Sequence, residues 1–136
     1  MTPDDMDAVF ARHCAAEFAN DVDAILDTLT DDVEHDVVGD PLGVLTERAA
    51  IAKRYQDLFD VLTADSMTSV RRYHGADFFV DESLYAGSVN GEFMGVPGGG
   101  RTVSFRILHV CEFRDGRMSR ENVWLDSAAI IHQLTA

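Results

Sequence analysis

The sequence predicts one α+β domain, with helices at the N-terminus and a cone-shaped, curved antiparallel sheet wrapped around them. Three observations carry this expectation. Apolar residues in the first half recur mainly at helical spacing. After Ala64 the chain becomes rich in β-branched and aromatic residues in partial alternation. Tight-turn signals, above all Asp115-Gly116, separate the later segments. A chain of 136 residues is the size of a single domain, taken as 1–136, and can bury a core.

The elements follow in order. A helix is expected from Pro3 to Ala19, because proline suits a first turn and Asp4, Asp5 and Asp7 suit the positive end of the helix dipole. Met6, Val9, Phe10, Cys14 and Phe18 form its apolar stripe, with His13 on the edge. Asn20 is expected to cap a second short helix that turns Val22, Ile25, Leu26 and Leu29 inward. Asp31-Asp32 ends it, and Val33–Val38 reads as a short strand before a Gly39-Asp40-Pro41 turn. A third helix runs from Thr46 to Leu62 with Ile51, Tyr55, Leu58, Phe59 and Leu62 on one face. Strands are expected at 66–73, 77–89, 101–114 and 118–126, then a helical turn or two to Leu134. The glycine-rich stretch from Gly95 to Gly100 lacks the Lys-Ser/Thr of a phosphate loop and reads as a hairpin loop.

Charge and composition exclude several classes. The formal net charge is −13, most of it before Ser66, and such a surface repels a phosphate backbone, so no nucleic acid is expected as a partner. No run approaches the ~20 apolar residues of a membrane span, and the acidic start has no signal-peptide pattern, so a soluble cytoplasmic protein is expected. Cys14 and Cys111 are too far apart for a metal-type pair and are expected to be reduced, buried thiols.

Four stretches carry a family resemblance: Asp31-Asp32-Val33-Glu34-His35-Asp36; Gly91 to Pro97 with Gly100-Arg101-Thr102-Val103; Phe113 to Met118 around Asp115-Gly116; and Val123-Trp124-Leu125-Asp126. In order and spacing the chain resembles the nuclear-transport-factor-2-like superfamily, whose fold is a cystatin-like α+β barrel. Within it the resemblance is to the SnoaL-like polyketide cyclase and ester cyclase group, and more distantly to ketosteroid isomerase.

The candidate site residues come from strand alternation read beside that resemblance. Asn122, Trp124 and Asp126 share a face; with Trp124 as a pocket wall, Asp126 stands at the pocket, and resemblance to the cyclases makes it the general acid/base. His109 shares a face with Ile107, Cys111 and Phe113, where an imidazole could donate to an enolate oxygen. His35 and Asp36 point to opposite faces. Alternation with Val33 and Val37 favours His35 inward, whereas register with the isomerases favours Asp36 as base, and a bulge would reconcile them. His13 lies where the isomerases carry an oxyanion tyrosine. Tyr55, Phe59, Trp124 and Asn122 complete the expected substrate contacts.

The resemblance implies cofactor-independent proton transfer on a small hydrophobic carbonyl compound, by aldol cyclisation or isomerisation. A non-catalytic small-molecule-binding or dimerisation module and an epoxide or ester hydrolase are the alternatives. No metal is expected: His35, His109 and Asp126 could be imagined as ligands, but no helical i, i+4 ligand pair is seen to support them. A homodimer is expected through an outer sheet face bearing Val110, Val123 and Leu125.

Overall fold

The Thr2 hydroxyl accepts the Asp5 amide at 3.1 Å and the Asp5 carboxylate accepts the Thr2 amide at 3.0 Å. This reciprocal cap, followed by Pro3, starts helix α1 over Pro3–Phe18 in the computed structural model, which describes residues 1–136. Met6, Val9, Phe10, His13 and Ala16 form its buried face. Asn20 adopts a positive φ of 54° and reverses the chain, so α2 (Val22–Asp27) is capped by Asp21 and not by Asn20.

Strand β1 starts at Leu29 and ends at Val37, earlier than the alternation suggested, and Asp31-Asp32 lie within it. The two aspartates are exposed, so the strand carries them without burying charge. After β2 (Val44–Leu45), α3 (Arg48–Val61) passes directly into the long strand β3 (Leu62–His74). Then come β4 (Phe78–Val89), the small hairpin β5 (Glu92–Phe93) and β6 (Val96–Pro97), β7 (Arg101–Arg114), β8 (Arg117–Leu125) and α4 (Ser127–Thr135). The glycine-rich stretch is thus part of a hairpin, as expected.

The main sheet has the order β2-β1-β8-β7-β4-β3. Strands β3, β4, β7 and β8 pair antiparallel, as the turn signals predicted. β1 lies parallel to β8, so the sheet is mixed and open at both edges rather than wholly antiparallel. Parallel neighbours need a long crossover, and here everything between β1 and β8 supplies it. The three N-terminal helices pack on the inner face around Ile25, Leu29, Ile51, Phe79, Phe113 and Met118. A second apolar cluster, including Val103, Phe105, Ile107 and Val123, receives Ile130 and Leu134 from α4. No helix is long and apolar enough to cross a membrane.

One irregularity fixes what the inner face carries. Along β7 the odd residues from Val103 to Phe113 point inward. Phe113 pairs with Met118, but Glu112 pairs with Arg120, leaving Ser119 as an extra residue in β8. A one-residue bulge reverses the side-chain alternation beyond it. Met118 is therefore inward, and so are Glu121, Val123 and Leu125 beside Cys111, His109 and Ile107. Asn122 and Trp124 fall on the outer face, and Trp124 is 50% exposed. This is the opposite of the parity expected from the sequence, where the indole marked the inside.

Deleting Ser119 should remove the bulge yet leave Glu121 inward and Trp124 outward, because Met118–Phe113 and Arg120–Glu112 then become consecutive pairs. A cooperative thermal transition with native near-ultraviolet dichroism is the expected result. Loss of that transition would mean that the strand needs the extra residue for more than its register.

Candidate functional site

The inner face gathers polar side chains from four elements. His13 and Glu17 come from one face of α1, where an i, i+4 spacing stacks side chains on successive turns. Tyr55 and Arg54 come from α3, His35 from β1, and Glu121 from β8 opposite His35. His109 of β7 and Asp81 of β4 are direct cross-strand partners.

Glu121 is the hub and is 1% exposed. Its Oε1 accepts Tyr55 O–H at 2.5 Å and lies 2.9 Å from His35 Nε2. Its Oε2 lies 2.9 Å from His13 Nε2. Neighbouring bonds fix the tautomers. Arg54 donates to His35 Nδ1 at 3.1 Å, so the His35 proton is on Nε2 and faces Glu121. The Thr28 hydroxyl donates to the Ile25 carbonyl at 2.6 Å, so its oxygen accepts His13 Nδ1–H at 2.7 Å. His13 Nε2 faces Glu121 and, at 2.7 Å, Glu17 Oε1. Arg54 also donates to the His35 and Gly43 carbonyls and pairs with Asp40 at 3.1 Å, which anchors the β1–β2 turn.

These contacts set the protonation. Burial alone would lower the His13 pKa, but the Glu121 and Glu17 carboxylates overcome it and raise it to about 10. Burial would raise Glu121, yet the His13 charge and the bonds from His13 and His35 hold it well below the usual carboxylate range. Burial, reinforced by the same carboxylates, pushes the Tyr55 hydroxyl well up. His109 moves the other way: burial lowers it, only partly offset by the carboxylates. Its Nδ1 has no hydrogen-bond partner, and its Nε2 is 3.8 Å from Glu121 Oε2. Two imidazoles on one carboxylate are thus held in opposite states.

A second buried carboxylate, Asp81, accepts from Ser69, Ser83 and Arg72. The Arg72 guanidinium stacks over Phe10 and Phe79 and reaches Asp7, so the far end of the row is fully paired. Burial raises both cysteine thiols, as expected of inert packing groups.

Of the residues expected from the sequence, His13, His35, Tyr55 and His109 converge in this cluster, and Phe59 packs beside Tyr55 at a ring distance of 6.0 Å. Asp36 does not: its side chain is on the outer face of the sheet, where its carboxylate accepts the Asn122 amide at 3.0 Å, and Asn122 accepts the Trp124 indole N–H at 2.6 Å. Asp126 is exposed and caps α4 through the Ala129 amide at 3.2 Å. Glu121, Glu17, Arg54 and Asp81 were missed. The i, i+4 pair His13/Glu17 was legible in the sequence, contrary to the expectation that no such pair existed. Glu121 was missed because taking Trp124 as a pocket wall put the odd residues of β8 on the outer face. Two polar surface clefts lie away from the cluster, one at Ala19–Asp23 with Gln56 and one at Thr30–Asp32 with Arg114, Asp115 and Arg117.

Residues 9–134 match the family of SnoaL-like polyketide cyclases. The chain belongs to that family. Among solved structures it is similar to TsrD from Streptomyces laurentii, with 17% identity, 98% of this chain and 97% of that one covered, and a TM-score of 0.83. A candidate polyketide cyclase from Xanthomonas campestris pv. campestris gives 22%, 96%, 97% and 0.81. A ketosteroid isomerase-like protein from Catenulispora acidiphila, solved with trimethylamine, gives 14%, 99%, 95% and 0.77. At these identities the likeness concerns the fold. No curated protein matches the chain by sequence.

Two outcomes follow. Asp126→Ala should lose about 1 kcal/mol through the helix cap while Asp126→Asn stays near wild type, as read by urea unfolding. His13 should couple stability to pH. Its folded pKa of about 10 lies above the ordinary 6.5, so its contribution is complete below 6.5, declines as pH rises and is gone above about 10. The difference in urea midpoint between wild type and His13→Gln should shrink across that window, and a constant difference would contradict the pairing.

Proposed function

We propose that the chain is a SnoaL-like acid–base enzyme acting on a small hydrophobic carbonyl compound, by aldol cyclisation or isomerising proton transfer. The carrying observation is that two buried imidazoles face the same Glu121 oxygen, His13 ion-paired to it and His109 without a hydrogen bond and with an unpartnered Nδ1. Environments that push two titratable groups apart are how one site supplies both an acid and a base. His109, kept neutral with an unpartnered Nδ1, is the base that takes a proton next to the carbonyl. His13, charged and fixed by Thr28, and Tyr55 are the donors to the developing enolate oxygen. Glu121 and His35 hold both in place. Phe59 and the half-buried Cys14, Met67 and Tyr85 give apolar contacts near Glu17, which is 26% exposed and marks the rim where a substrate enters.

The packing of the cluster favours a second reading, a non-catalytic small-molecule-binding module, because the donors already satisfy one another. In either case a homodimer is proposed through the outer sheet face. Leu84, Leu108, Val110 and Trp124 take the place of the inward Val123 and Leu125. Sedimentation at tens of micromolar, an order-of-magnitude choice for specific interfaces, should show two protomers.

The test is exchange of α-protons into deuterium oxide for a panel of apolar β-diketones, followed by proton NMR. The wild type should exchange at least one of them, and His109→Gln should slow this by roughly 100-fold or more. Asp126→Asn should leave it unchanged. Thermal stabilisation by a diketone without exchange would favour the binding module, and loss of exchange in Asp126→Asn would move the base to the helix cap.

A further inference from the structure

We infer that His13, Glu17 and Glu121 form a binding site for a divalent first-row transition-metal ion, beside the unpaired imidazole of His109. The ligand atoms of His13, Glu17 and Glu121 all lie within 4.8 Å of one another. Glu17 Oε1 is 2.7 Å and Glu121 Oε2 is 2.9 Å from the same nitrogen, His13 Nε2, while Tyr55 Oη is 3.2 Å from it. A ring nitrogen carries one hydrogen at most. It cannot serve two carboxylates from a single point as well as a cation can.

The orientation of His13 is that of a ligand. Thr28 holds its Nδ1–H at 2.7 Å and so presents Nε2 to the carboxylates. Metal-bound histidines characteristically fix the outer N–H in this manner. His109 is the independent sign: it is 4% exposed, its Nδ1 has no partner, and its Nε2 faces Glu121 Oε2 at 3.8 Å without a hydrogen bond. A buried imidazole left unpaired beside a carboxylate is costly unless something else engages it. One imidazole and two carboxylates, with water to complete the shell, suit zinc, cobalt(II), iron(II) or manganese(II). A calcium site would instead need six or more oxygens. Two of the ligands lie four apart on one helix, a spacing that pre-forms half the site before folding is complete. Glu17 opens to solvent at the rim and gives the ion a way in.

On binding, the proton on Nε2 passes to water and the two carboxylates close on the ion. Cation binding here does not require that the chain turn over a carbonyl compound, and the test therefore reads binding alone. Chelator-treated, folded protein is titrated with cobalt(II), following its visible d–d absorption, and with zinc by calorimetry. One equivalent of each should bind, with zinc raising the melting temperature and calcium leaving it unchanged. Glu17→Gln, a change at the rim with its fold checked by circular dichroism, should weaken cobalt binding at least about tenfold, the scale at which loss of a supporting contact is felt. Asp31→Asn with Asp32→Asn, both highly exposed, should not. Absence of stoichiometric binding by the wild type would overturn the site. So would Glu17→Gln binding cobalt as well as wild type, or binding lost with the Asp31/Asp32 pair.

Discussion

The interior of this protein depends on the neutralisation of one carboxylate. Glu121 is placed by the sheet where water cannot reach it, and an isolated buried carboxylate would cost many kcal/mol. Tyr55, His35 and His13 each bring a donor to it from a different element. The same bonds tie α1, α3 and β1 to β8, so satisfying the charge and assembling the layers are one event. Removing one partner from such a pair typically costs roughly 3–5 kcal/mol, because the other charge remains buried. The outer contacts follow from the same demand. Thr28 closes α2 and orients His13, and Arg54 orients His35 and anchors the β1–β2 turn.

The helices and the antiparallel meander were legible in the sequence because their signals are local. Pro3, the stripe Met6-Val9-Phe10 and the Asp115-Gly116 turn depend only on near neighbours. His35 was placed on the correct face by its alternation with Val33 and Val37. That placement holds because the pairing with β8 is regular from Glu34 to Val37, past the irregularity between Leu29 and Glu34. The parallel seat of β1 against β8 was not legible, since partners at that separation leave no local trace.

The error at Trp124 and Asp126 has a single cause: the large indole was taken as the inward residue, and Asn122 and Asp126 were placed by it, whereas Trp124 is on the outer face. A large indole outside and a carboxylate inside contradict the ordinary pattern of apolar core and polar surface. Conflicts of that kind concentrate where function is selected over stability. The acidic N-terminal half was read as a solvated surface, and this concealed Glu17, which is a half-buried acid of α1 and a neighbour of the buried hub.

Glu17 has a kinetic meaning as well. Every other member of the cluster is sealed, so traffic between the hub and bulk water passes by this side chain. A rotamer change at Glu17, which must first break its 2.7 Å pair with His13, makes or breaks the path from His13 to solvent. The pace of proton exchange with the interior is thus set by how often one glutamate swings, while the acidity of the medium sets the state that is reached. A shift in external pH reaches Glu121 only after that valve has opened.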